Sequence, residues 1–161
     1  MKENSIAEEN RELLHRWFEE VWNQGREDAI EEMFAEDGIA HGLADETGAP
    51  LRGTSAFREF HRKFRGAFPD IVVTVEDTVV EGDKVAGRCS VRAVHAGDHL
   101  GFAATQMPME ITGMTIVRVE NGKIAEAWNN FDFMSMFQQL GASPTASNAA
   151  SSQDAPLPAM D

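Results

Sequence analysis

Tyrosine is missing altogether from this sequence of 161 residues, and cysteine occurs once, as Cys89. A lone cysteine excludes an internal disulfide, and in the alternating run VAGRCSVRAV it reads as a small core residue with no chemical role. Basic residues are scarce as well, with 14 Lys and Arg against 27 Asp and Glu, for a formal net charge of -13. Phosphate backbones are bound through clustered cations that release counterions, so nucleic acid is not expected as a partner and the charge is read as favouring solubility. No apolar stretch approaches the ~20 residues of a membrane helix, and the opening MKENSIAEENREL lacks the apolar centre of a secretory signal. A cytoplasmic location without membrane contact is the expectation. There is no CxxC pair, HExxH helix, Walker loop or GxGxxG turn, so neither a metal nor another cofactor is expected.

What is present is 42% hydrophobic residues in ordered patterns, enough for one domain with its own core. Leu13, Leu14, Trp17, Phe18, Val21 and Trp22 recur at helical spacing and stop before Asn23-Gln24-Gly25. A shorter helix carries Ala29, Ile30, Met33 and Phe34 and is expected to end at Asp37-Gly38, ahead of a short strand around His41. Thr54 or Ser55 can cap a third helix with Phe57, Phe60, Phe64 and Phe68 on one side, terminated by Pro69. Strands are expected over 71–80, 84–95, 99–106, 114–119 and 123–128, punctuated by Glu81-Gly82-Asp83 and Asn121-Gly122. Helices first and a long antiparallel meander after define an α+β fold. Its strongly curved, mainly antiparallel sheet forms a cone with the N-terminal helices on the concave face. The domain spans 1–142, and the Ser-, Ala- and Pro-rich 143–161 reads as a disordered tail.

Chemistry concentrates between Gly113 and Gly141. Asp132 is flanked by Phe131 and Phe133, a setting that raises a carboxyl pKa where it is buried. On spacing alone the favoured reading is the N-cap of a last helix, since Asp is among the commonest N-caps. Arg118 is its candidate partner, and the Asn121-Gly122 turn decides whether they meet. A two-residue type I′ turn sets Arg118 opposite Ala125 and Asp132 on the other face. A type I turn with a glycine bulge sets Arg118 opposite Ile124 and brings Glu126, Trp128 and Asp132 onto its face; because this assembles a site, it is the working expectation. His99, in the Gly97-Asp98-His99 turn, and His41 suit proton shuttling or enolate donation. His15 and His61 read as exposed on charged helix surfaces, and His95 has no assigned partner. Trp17, Met114 and Trp128 are candidate substrate contacts, with Asn129 and Asn130 as amides for a substrate oxygen.

These pieces, in this order, resemble the SnoaL-like polyketide cyclases, or ester cyclases, within the wider nuclear transport factor 2-like, cystatin-like α+β group. The carriers include Gly53 with Ala56-Phe57, Ala67-Phe68-Pro69-Asp70, Gly97-Asp98-His99-Leu100-Gly101, Asn121-Gly122-Lys123-Ile124 with Glu126 and Trp128, Asp132, and Gln138-Gln139-Leu140-Gly141. The resemblance spans roughly Asn10 to Gly141. It implies a cofactor-independent intramolecular aldol ring closure with Asp132 as general acid/base. It also implies a small hydrophobic, polycyclic or β-dicarbonyl ligand and association into a homodimer or higher homo-oligomer. Lacking tyrosine, the chain would order substrate with Trp17, His41 or His99 instead. Two other readings stay open: a dehydratase or epoxide hydrolase in which Asp132 and Arg118 activate water, and a non-catalytic ligand-binding or dimerisation module.

Overall fold

The computed structural model describes residues 2–45 and 47–142; the expected tail, 143–161, lies outside them. Helix α1 (Lys2–Arg16) runs directly into a seven-residue π-helical segment (Trp17–Asn23), and the short α2 (Asp28–Met33) follows. A π-turn bonds i to i+5, as where the Gln24 N–H reaches the Glu19 carbonyl at 2.9 Å. This wider turn puts Trp17, Phe18, Val21 and Trp22 on one side, and all four are buried. Its last carbonyls, orphaned as at any helix end, are met from helix α3 (Gly53–Ala67). His61 Nε2–H donates to the Val21 carbonyl and Arg65 Nη1 to that of Trp22, each at 2.7 Å. His61 is thus buried, in place of the surface position expected for it. Its helix turns the ring inward, where the π segment offers an unpaired carbonyl.

Helix α2 stops at Met33, earlier than the expected end at Asp37-Gly38, and the chain passes straight into strand β1 (Phe34–Ala44). Phe34 explains the early stop: its ring lies 5.8 Å from Trp17 and 5.2 Å from Phe57, an aromatic contact made by extending the chain. Neither Thr54 nor Ser55 caps α3. Gly53 opens the helix at φ 83°, a left-handed conformation that needs no side chain to turn the chain out of strand β2 (Pro50–Arg52).

The remaining strands are β3 (Val72–Glu81), β4 (Lys84–Val94), β5 (Pro108–Glu120) and β6 (Lys123–Phe131), and a short α4 (Phe133–Gln139) ends the fold. They form a six-stranded curved, unclosed sheet in the order β2-β1-β6-β5-β4-β3, antiparallel except where β1 runs parallel to β6. The expected strand at 99–106 is absent; the chain there is irregular. Its backbone bonds locally, the Gly101 N–H donating to the Asp98 carbonyl at 3.0 Å and the Gln106 N–H to that of His95 at 2.9 Å. β4 alternates buried residues with exposed or half-buried ones along its whole length, so one sheet face meets the helices and the other faces outward. The core lies on the concave side, between that face and Leu14, Trp17, Phe57 and Phe64 of the helices.

Candidate functional site

The β5–β6 hairpin decides which side chains enter the cone. Asn121 (φ 51°) and Gly122 (φ 73°) are both left-handed, which makes the connection a two-residue type I′ turn. The register begins accordingly, with Glu120 opposite Lys123 and Val119 opposite Ile124. It then slips: Arg118 pairs with Glu126, leaving Ala125 as a bulge. Neither alternative drawn from the sequence foresaw an unbulged turn followed by a bulge in the strand. The result restores the parity of the expected arrangement, so Arg118, Glu126, Trp128 and Asn130 do share a face. That face is the outer one.

On the inner face, Ile111, Thr115 and Val117 of β5 and Ala127, Asn129 and Phe131 of β6 line a cavity with Trp17, Phe18 and Trp22 of the π segment and Phe57, Phe60 and Phe64 of α3. Two of its twenty lining residues, Thr115 and Asn129, are polar. Thr115 Oγ1 donates to Asn129 Oδ1 at 2.9 Å, and Asn129 Nδ2 donates to the His41 carbonyl at 2.9 Å. The cavity measures about 60 Å³, room for on the order of five waters and well short of the ~300–1,000 Å³ of ordinary ligand pockets. Aromatic rings narrow its mouth. Phe133 meets Phe64 edge-on at 6.0 Å and Phe131 at 6.3 Å. Phe131 lies over Gly113, where a Cβ would stand 2.2 Å from the ring.

Of the nine residues singled out in the sequence, Trp17 and Asn129 line this cavity. Asp132 is exposed outside the cavity wall, in a shallow depression with Arg88, Thr112, Met114 and Asn130, and caps α4 by accepting the Ser135 N–H at 3.0 Å. The carboxylate is not held inside the apolar cone, because β6 ends at Phe131 and the cap turns the side chain toward the first turn of α4. Arg118, His41 and Trp128 come together on the outer face around Glu126. The His41 Nε2–H donates to Glu126 Oε2 at 2.7 Å, and Arg118 Nη2 stands 3.6 Å from Oε1. These neighbours, His41 first, hold the Glu126 carboxyl below its ordinary range. Trp128 stacks on the His41 ring at 5.7 Å, and Lys84 Nζ lies over the Trp128 ring, 5.8 Å from its centroid. Met114 and Asn130 pair across the hairpin on this outer face, both exposed. His99 lies apart from all of these, its ring over the Cα of Gly66 at the end of α3 and its Nδ1 3.7 Å from Asp98.

Thr115 was not a candidate in the sequence, where it reads as one more β-branched strand residue. His95 also proves unusual. It is fully buried, its Nδ1 accepts the Thr105 N–H at 3.1 Å, and its Nε2 has no partner among the described residues. No grouping of His, Cys, Asp and Glu suited to a metal ion occurs among the described residues. Nor is any described helix long and apolar enough to cross a membrane.

An unclosed, strongly curved sheet wrapped round N-terminal helices, with an apolar cavity between them, is the ketosteroid isomerase-like or nuclear transport factor 2-like class of α+β cone. Within it the chain belongs to the SnoaL-like polyketide cyclase family, whose profile matches residues 12–140. Among solved structures it is similar to IdmH of Streptomyces antibioticus, a candidate polyketide cyclase, at 30% identity and a TM-score of 0.71, over 83% of this chain and 99% of that one. TsrD of Streptomyces laurentii shares the fold at 23% identity and a TM-score of 0.72, over 84% of this chain and 96% of the other. A ketosteroid isomerase-like protein from Catenulispora acidiphila, solved with trimethylamine, does so at 18% identity and a TM-score of 0.68, over 82% and 94% of the two chains. Comparison with curated protein sequences finds no match.

Proposed function

We propose that the chain is a small, cofactor-independent enzyme of polyketide-cyclase type that takes an apolar, carbonyl-bearing ligand into the cone and closes a ring by intramolecular aldol addition. The observation that carries this reading is the cone itself, lined by aromatic and aliphatic side chains, with Asp132 next in the chain to Phe131 and Phe133, whose rings line it. Family membership supports it. Asp132 removes a proton from a carbon flanked by carbonyls, and the resulting enolate carbon bonds to a carbonyl carbon of the same molecule. The carboxylic acid then returns its proton to the new alkoxide. Flanking carbonyls already acidify the carbon, which eases its deprotonation by a carboxylate. To act, it must exchange its bond to the Ser135 N–H for one to substrate. Ligands larger than the cavity also require the Phe64–Phe133 contact to part.

Asp132→Asn tests the assignment cleanly, because asparagine caps a helix as well as aspartate. Ring closure of a linear β-dicarbonyl substrate, followed by chromatography, should disappear while the fold persists. Full turnover in the variant would remove Asp132 from the chemistry. A water-activating hydrolase or dehydratase using Arg118 and Asp132 together gains no support, since Arg118 is engaged with Glu126 on the outer face.

One observation favours a second reading, that of a non-catalytic binding or association module. Val79, Ala86, Ile116, Trp128 and His41 follow one another across the outer face in register, with Val79 and Ile116 exposed. Exposed apolar side chains in such a row suit a second copy of the chain. In either reading we place a homodimer on this face and the protein in the cytoplasm. Ile116→Lys with Met114→Lys should convert the dimer to monomer in sedimentation velocity; an unchanged sedimentation coefficient would place the association elsewhere or nowhere.

A further inference from the structure

The polar pair in the cone has a direction. A backbone carbonyl can only accept, so the bond to the His41 carbonyl fixes which end of the Asn129 amide is NH₂. The other end, Oδ1, is then an acceptor, and it takes the proton of the Thr115 hydroxyl. With its proton committed, Thr115 Oγ1 is left with lone pairs alone. Among the described residues no group donates to them, and Thr115 lines the cavity. The rest of the wall is apolar but for Asn129. A ligand oxygen that only accepts, such as a ketone or ether, would meet lone pair against lone pair there. A hydroxyl would complete the chain that runs from ligand through Thr115 and Asn129 to the His41 carbonyl.

We infer that Thr115 is the specificity-determining residue of the cone and that it selects ligands presenting a hydrogen-bond-donating hydroxyl, as a phenol, alcohol or enol, at the end of an apolar body. This rests on the proposal that the cone is the ligand site, and it narrows the ligand class. An enolised 1,3-dicarbonyl carries such a group and a simple ketone does not. Sequence gave no hint of this polarity, because it follows from which backbone carbonyl Asn129 reaches across from β6 to β1.

The test uses isothermal titration calorimetry with 4-ethylphenol and 4-ethylanisole, which differ in whether the oxygen carries a proton. The wild-type protein should bind the phenol about tenfold more tightly, the worth of one hydrogen bond in an apolar site. Thr115→Val should bind both equally by weakening the phenol alone, and Thr115→Ser should keep the preference. If the preference arose from the bulk of the ether methyl, Thr115→Val would retain it, and the inference would be overturned. Equal binding of the two by the wild-type protein overturns it too, without recourse to any variant, while leaving the cone as a ligand site. Binding of neither compound overturns the inference and that broader proposal together.

Discussion

Arg118 stands opposite Glu126 across the β5–β6 hairpin, and this pairing, made by a bulge at Ala125, sends every charged candidate of the two strands to the outer face. Inside remain Thr115, Val117, Ala127 and Asn129. The chemistry of the cone is therefore that of an apolar chamber with one directed polar pair. Arg118→Ala should leave ligand affinity within about twofold of wild type, as for surface substitutions generally. A loss of more than tenfold, read by calorimetry, would mean that Arg118 reaches the ligand after all.

Acid should destabilise the fold through two histidines. Burial pushes the His61 imidazole below its ordinary range, against the pull of its bond to the Val21 carbonyl, and burial likewise lowers His95. A histidine whose pKa is depressed on folding favours the neutral form in the native state. Its contribution is present above the unfolded value of about 6.5 and is lost as pH falls through the lower native value. Melting temperatures taken from pH 8 to pH 5 should fall on the acid side. His95→Phe, which removes the unpaired Nε2 from its place between Phe68 and Phe102, should shallow that slope. An unchanged slope in this variant would mean that the His95 ring does not resist protonation.

Cys89 should be inert in the native protein. It is buried on the concave side of β4, and burial pushes its thiol up to about 11. The thiolate is the reactive form, so iodoacetamide at neutral pH should label it only after unfolding. Rapid labelling of the folded chain would show that β4 opens locally.

The mouth should widen when Phe133 is truncated. Phe133→Ala removes the edge-on contact with Phe64 and the ring beside Phe131, at a cost of about 1–3 kcal/mol, less than for a fully buried phenylalanine. Bicyclic hydroxyaromatics should gain affinity relative to 4-ethylphenol in calorimetric titration. No change in that ratio would place the entrance elsewhere.

Much of the architecture was legible in the sequence because it follows from period. The helical stripe of Leu13 to Trp22, the phenylalanines of α3 and the β-branched runs identify helices packed on a curved sheet, and the family motifs agree. What escaped is non-periodic. The π segment differs from an α-helix by one residue per hydrogen-bonded turn, and it buries the same Trp17, Phe18, Val21 and Trp22 that an α-helix would. The Ala125 bulge leaves no composition signal beside the ENGK turn, yet with the turn type it sets the face of Arg118, Met114, Trp128 and Asn130. Asp132 supplied both meanings at once, as a cap and as an acid among rings, and the cap is the bond it makes. His61 and Thr115 were passed over because their partners, the Val21 carbonyl and Asn129, lie far off in the chain.

The three tryptophans offer the most direct measurement, because Trp17 and Trp22 line the cone and Trp128 lies on the outer face. In a two-dimensional ¹⁵N–¹H spectrum titrated with 4-ethylphenol, the indole signals of Trp17 and Trp22 should shift together along one binding curve while that of Trp128 stays in place. Movement of Trp128 with Trp17 and Trp22 unmoved would contradict the account, and would put the ligand on the face where Arg118 meets Glu126.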